Sequence, residues 1–144
     1  LRRHRLAERL LTDILHLDWS KVHDAACRLE HAITTDIIKP LEKALGYPKT
    51  CPHGNPIPTK RGGIVEEESV PLTDLNLKES GTIIKITEEK PDVLRYLATL
   101  GLKPGASVKV EKKISFNGTF VLRVKGTSLA LGRDVASIIK VKRV

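Results

Sequence analysis

The stretch HDAACRLEH carries His23, Cys27, Glu30 and His31, four residues of the types that bind transition metals. At about 100° per residue, offsets of 0, 4, 7 and 8 fall within roughly a quarter-turn arc of a helix, so the four side chains share a face. Reach then divides them. His23 and His31 stand about 12 Å apart along the axis, whereas a metal lies about 2 Å from each ligand atom. The two imidazoles therefore do not share an ion. Cys27 and His31, one turn apart with Glu30 beside them, grip one metal from a single face, and His23 is left for another. The earlier stretch HRLAE stacks His4 and Glu8 at i and i+4. With the two helices antiparallel, His4, Glu8 and His23 make a second site. Neither set is complete, and each leaves positions for water, an anion or groups from elsewhere. Taken singly, the cysteine reads as a small core residue and the others as surface polar groups. Their joint spacing is what argues for metal.

These side chains need helices to hold them. Residues 2–17 repeat Leu6, Leu10, Ile14 and Leu17 between charges, which predicts a first helix. Asp18 and Ser20 offer capping chemistry for a second helix over residues 20–33, with Val22, Ala26, Leu29 and Ile33 on its apolar stripe. TTD at 34–36 caps a third, closed by Gly46, in which Pro40 is tolerable only near the first turn. Three short helices cannot bury all their apolar residues. Ile33, Ile37, Ile38 and Leu41 are therefore expected on a self-complementary dimer surface.

The run YPKTCPHGNPIPTKRGG, with four prolines and three glycines, ends the periodicity and leads into a linker. Cys51 and His53 lie in it, but two ligands among prolines do not span a coordination shell from one side, so the run reads as a structural loop. From Pro71 onward the texture is short β-branched runs, GTIIKIT, SVKVEKKI, TFVLRVKG, SLAL and SIIKVKRV, interrupted by one helical pattern, PDVLRYLATLGL. Five short strands suit a small barrel. The predicted fold is α+β: a three-helix domain over 1–59, a linker over 60–70, and a barrel over 71–144.

Composition narrows the function. No apolar run approaches the ~20 residues a membrane helix needs, so no membrane partner is expected. Two cysteines that do not form a disulfide framework point to a reducing, cytoplasmic setting. The net charge of +8 attracts phosphate, but it is diffuse, and aromatics at 3% leave no stacking platform. The chain contains no methionine, so a fragment or processed chain, with something preceding Leu1, is expected.

HRLAERLLTDIL, then DWSKVHDAACRLEHAIT, then CPHGNPIP together resemble the dimerisation and metal-binding domain of the diphtheria-toxin-repressor family of metal-dependent transcription regulators. Residues 71–144, with LRYLATLGLKPG and LGRDVASIIKV, resemble the FeoA-type SH3-like domain that follows it. The resemblance implies that His4, Glu8 and His23 form an ancillary metal site, and Cys27, Glu30 and His31 the helix ligands of a primary, regulatory site. It implies a winged helix-turn-helix that reads operator DNA and lends a ligand to the primary site; these residues contain none. It also implies a barrel carboxylate at the ancillary site, left open among Glu88, Glu89 and Asp92.

The expected function is the metal-sensing and dimerisation portion of an iron-dependent repressor, a homodimer in which bound metal acts as co-repressor. The softness of Cys27 favours ferrous iron, with cobalt, nickel, zinc or manganese as substitutes. A FeoA-like module accessory to metal transport is the alternative, but it gives the helical ligands no role. A metallohydrolase is disfavoured because no general base stands beside a substrate pocket, and no enzyme activity is expected.

Overall fold

The computed structural model describes residues 1–64, 67–114 and 116–144. Residues 65 and 66, within the expected linker, lie outside the described residues. Two compact units are present: Leu1–Glu66 together with Glu89–Leu94, and Glu67–Glu88 together with Arg95–Val144. Residues 89–94, expected in the barrel, thus gather with the helices. Among the described residues no helix is long and apolar enough to cross a membrane.

In the first unit, α1 spans Arg2–Arg9 and widens into a π-helical turn over Leu10–Ile14. Leu15 N–H reaches the Leu10 carbonyl at 3.1 Å, five residues back. His16 then takes a left-handed φ of 56°, which ends the helix. The predicted stripe therefore fails in its second half. Leu6, Ala7 and Leu11 face the core; the wider turn shifts the phase and exposes Ile14, while Leu15 and Leu17, at and beyond the helix end, are exposed too.

Helix α2 spans Val22–Leu29 and tightens into a 3-10 turn over Glu30–Ala32. Asp18 and Ser20 do not cap it: Asp18 Oδ1 accepts the Ser20 backbone N–H at 2.9 Å and its hydroxyl at 2.7 Å, and Lys21 occupies the cap position. Helix α3, Thr35–Ala44, follows Thr34 and carries Pro40 in its second turn rather than its first. Gly46 at φ 74° and Tyr47 at φ 55° close it, with Tyr47 N–H donating to the Glu42 carbonyl at 2.8 Å. Leu6, Ala7, Leu11, Val22, Ala26, Ile33 and Leu41 form the core. Ile33 and Leu41 are thus withdrawn from the expected dimer surface, because the inward faces of α2 and α3 need them, while Ile37 stays exposed.

Among the described residues the second unit is a six-stranded antiparallel sheet, one strand more than predicted. Its strands are β1 Val70–Pro71, β2 Ser80–Ile86, β3 Ser107–Ile114, β4 Thr119–Val124, β5 Thr127–Leu131 and β6 Ile139–Arg143, in the order β1-β6-β2-β3-β4-β5. Alternation buries Val108 and Val110, then Phe120, Leu122 and Val124, then Ile139 and Val141. Register shifts between Ile83 and Lys85 and between Val110 and Lys112 mark bulges that coil the sheet. The first explains why Ile83 and Ile86, three apart, are both buried. Helix α4, Pro91–Thr99, matches the predicted helical pattern, and a short α5, Arg133–Ser137, precedes β6. The α+β class, helices followed by an SH3-like sheet, is as the sequence predicts.

Candidate metal centre

Helix α1 presents His4 and Glu8 on one side, and both are buried although they sit beside apolar core residues. Their ring and carboxylate, His4 Nε2 and Glu8 Oε1, stand 3.5 Å apart. Helix α2 packs against α1 and places His23 Nδ1 3.1 Å from His4 Nε2, with the rings edge to face. The segment after β2 supplies the last member, Glu89, whose Oε2 lies 3.6 Å from His23 Nδ1. One ligand atom from each of His4, Glu8, His23 and Glu89 lies within 4.8 Å of the other three.

The donor set fits a divalent ion. Two imidazole nitrogens and two carboxylate oxygens are ligands for first-row metals, and ligands about 2 Å from one ion stand roughly 3 to 3.4 Å from each other. Glu8 adds an independent sign. Its side chain is wholly buried, yet among the described residues neither oxygen makes a close hydrogen bond, the imidazole nitrogens of His4 and His53 standing 3.5 and 3.4 Å away. A buried carboxylate without donors is costly, and a cation at this position would offset that cost.

A third element completes the surroundings. The CPHGNPIP loop is tied to α1 and the following turn: Arg9 Nε donates to the Thr50 carbonyl at 2.7 Å, Arg5 bonds the Pro56 carbonyl, and Trp19 Nε1 donates to the Pro52 carbonyl at 2.7 Å. Inside the loop, Cys51 N–H meets the Asn55 carbonyl at 2.8 Å and Gly54, at φ 87°, makes the turn. Cys51 and His53 are buried beside Glu8 and Glu89. Reading the run as a structural loop missed this, because Glu8 and Glu89 come from elsewhere in the chain.

Burial works against a charge on His53. The Cys51, Glu8 and Glu89 side chains and the Trp19 carbonyl outweigh it and push its pKa up to about 12. Burial likewise opposes the Glu89 charge, but His53, Asn55 and His23 hold its pKa at about 2. Asn55 Nδ2 donates to Glu89 Oε1 at 2.9 Å.

The second predicted set is not gathered in the same way. Cys27 Sγ lies 3.6 Å from His23 Nε2 and 3.9 Å from His4 Nδ1, against the far nitrogens of the two imidazoles. Glu30 Oε2 stands 3.6 Å from His4 Nδ1. His31 is exposed and belongs to none of the convergent groups among the described residues. The cause is local. Glu30 and His31 fall on the 3-10 turn, where 120° per residue replaces the 100° on which a shared face depends. Partial burial and the nearby Glu30, Asp24 and Glu8 carboxylates raise the Cys27 thiol pKa against the opposing pull of Arg28. Of the three carboxylates left open by sequence, Glu89 joins the convergent residues and Asp92 is exposed; Glu88 is in none of the convergent groups among the described residues.

Comparison with known proteins gives a consistent picture. Residues 1–59 match the family described as iron dependent repressor, metal binding and dimerisation domain, and residues 70–143 match the FeoA domain. The iron-dependent repressor IdeR of Mycobacterium leprae is 32% identical, with 100% of this chain covering 67% of that protein. The diphtheria toxin repressor of Corynebacterium diphtheriae is 33% identical, over 99% of this chain and 66% of its own length. Among solved structures, a manganese-dependent transcriptional repressor superposes with a TM-score of 0.94 at 31% identity, covering 99% of this chain and 78% of that one. IdeR of T. acidophilum superposes with a TM-score of 0.90 at 34% identity, over 99% and 65%. The chain spans about two thirds of the length of the curated relatives it matches.

Proposed function

This chain belongs to the iron-dependent repressor family, matching its metal-binding and dimerisation domain and its FeoA domain, and on that premise we propose that it senses divalent metal for a transcriptional repressor. The observation that carries the reading is the convergence of His4, Glu8, His23 and Glu89, in which the wholly buried Glu8 carboxylate makes no close hydrogen bond among the described residues. These four residues would hold one ion. Its charge would draw α1, α2 and residues 89–94 together. Cys27, Glu30 and His31 would form the regulatory site, completed by a ligand from a winged helix outside these residues.

The role is one of binding and arrangement, with no reaction catalysed. A metal favours the DNA-competent arrangement only by binding it more tightly than the alternative. The complete protein would then present two recognition helices, one per subunit, to successive major grooves of operator DNA. A cytoplasmic homodimer is the working form. Ferrous iron is the proposed ion, because a Cys27 thiolate is a softer ligand than the oxygen donors that suit manganese.

Titration with Co(II) tests the reading. A tighter event that lacks sulfur character and disappears in His23→Ala is expected, followed by a weaker one, with a sulfur charge-transfer band, that disappears in Cys27→Ala. Because the Cys27 thiol pKa is raised, the sulfur band should strengthen as pH rises through its titration. A sulfur band that saturates first, or two events that survive His23→Ala, contradicts the division into two sites.

A further inference from the structure

We propose that His53 is a positioning residue that holds the two carboxylate ligands Glu8 and Glu89 at a fixed separation. It builds on the four-residue metal site proposed above. The His53 side chain is wholly buried, and its Nε2–H donates to the Trp19 carbonyl at 2.8 Å. The other ring nitrogen, Nδ1, faces both carboxylates at once, 3.4 Å from Glu8 Oε2 and 3.4 Å from Glu89 Oε1. These are not the oxygens turned toward the candidate ligand histidines. Glu8 Oε1 faces His4 and Glu89 Oε2 faces His23. Each carboxylate therefore spans from a ligand imidazole on one side to His53 on the other.

The geometry answers a physical difficulty. Glu8 comes from α1 and Glu89 from the segment after β2, so the gap between them is set by tertiary contacts. Two neighbouring carboxylates repel at short range, and without a group that engages both they would move apart. A single ring nitrogen, on a ring anchored through its other nitrogen to a backbone carbonyl, stands 3.4 Å from both. Asn55, two residues along the same loop, donates to the same Glu89 oxygen, and the Cys51 thiol lies 3.7 Å from it. That oxygen is thereby engaged by the loop while Oε2 is left for the ion. Groups that orient metal ligands in this way typically contribute 10- to 100-fold in affinity.

Two substitutions of the same ring separate positioning from bulk. In His53→Asn the side-chain amide stands where Nδ1 stands and still donates toward the carboxylates; in His53→Gln it reaches the Trp19 carbonyl and leaves the carboxylates unheld. The probe is Co(II) alone, followed by the nitrogen and oxygen ligand-field absorption, with bound ions per chain counted by equilibrium dialysis. His53→Gln should weaken the tighter event roughly 10- to 100-fold. His53→Asn should retain most of the affinity, and the Cys27 sulfur band should titrate as in the unsubstituted chain in both. A merely structural role would move both variants alike, and equal affinities of the two overturn the proposal. Loss of one bound ion per chain in Cys51→Ala also overturns it, by showing that Cys51 and His53 hold an ion of their own. If His23→Ala leaves the tighter event intact, the underlying site is wrong; if it abolishes that event while His53→Gln does not weaken it, only the role of His53 falls.

Discussion

The Trp19 carbonyl accepts the Nε2–H of His53 at 2.8 Å, and the Trp19 indole meets the same ring edge-on with centroids 4.9 Å apart. One residue between α1 and α2 thus sets both the direction and the tilt of the buried histidine. The indole N–H also closes the loop by bonding the Pro52 carbonyl at 2.7 Å.

Trp19→Phe keeps an aromatic face for His53 and removes the indole N–H, leaving the Pro52 carbonyl without that donor. Leaving a buried acceptor unpaired costs about 1–3 kcal/mol. Urea denaturation of the metal-free chain should show a loss in that range. An unchanged midpoint would mean that the loop is held by its arginine contacts alone.

Metal should stabilise the fold through Glu8. An ion that binds only the folded chain adds about 2.7 kcal/mol when present at about 100 times its dissociation constant. Co(II) should therefore raise the melting temperature of the chain, and a chelator should reverse the rise. Glu8→Gln, similar in shape but neutral, should lose most of the increment; the same increment in both proteins would remove Glu8 from the site.

The His53 and Glu89 shifts define a pH window for the metal-free chain. Glu89 is depressed from 4.5 to about 2, so its contribution is complete above about pH 4.5 and is lost as pH falls toward 2. His53 is raised from 6.5 to about 12, so its contribution is complete below about pH 6.5 and declines as pH rises. The two together are fullest between those limits. Stability in urea should be higher at pH 5.5 than at pH 8.5, and the difference should shrink in His53→Asn. A steeper difference in the variant would contradict the assignment.

Pro40 sits in the second turn of α3 and is exposed. It has no N–H to offer the carbonyl four residues back, and an interior proline costs a helix about 3 kcal/mol relative to alanine. Pro40→Ala should therefore stabilise the metal-free chain by about 1–3 kcal/mol, measured by the same denaturation. Destabilisation would show that the ring contributes packing that its exposure conceals.

Local periodicity made much of this protein readable from its residues. The α+β class, the strands SVKVEKKI and TFVLRVKG, and the pairing of His4 with Glu8 follow from repeats of 2.0 or 3.6 residues, which the backbone imposes within a few residues. His23 joined them because a helix of known rise limits what one ion can reach. The remaining features depend on contacts distant in sequence. The π-helical and 3-10 turns after α1 and α2 change the phase of their helices, which exposes Ile14 and turns His31 away. Glu89 is distinguished from Glu88 and Asp92 only by the fold that brings it to His23, since periodicity stops where β2 ends. His53 and Cys51 looked like members of a proline-rich loop because their partners are 45 and 38 residues away, at Glu8 and Glu89 respectively. Spacing along a chain encodes which side chains share a face; the separation of the buried Glu8 and half-buried Glu89 carboxylates is an electrostatic property of the assembled fold.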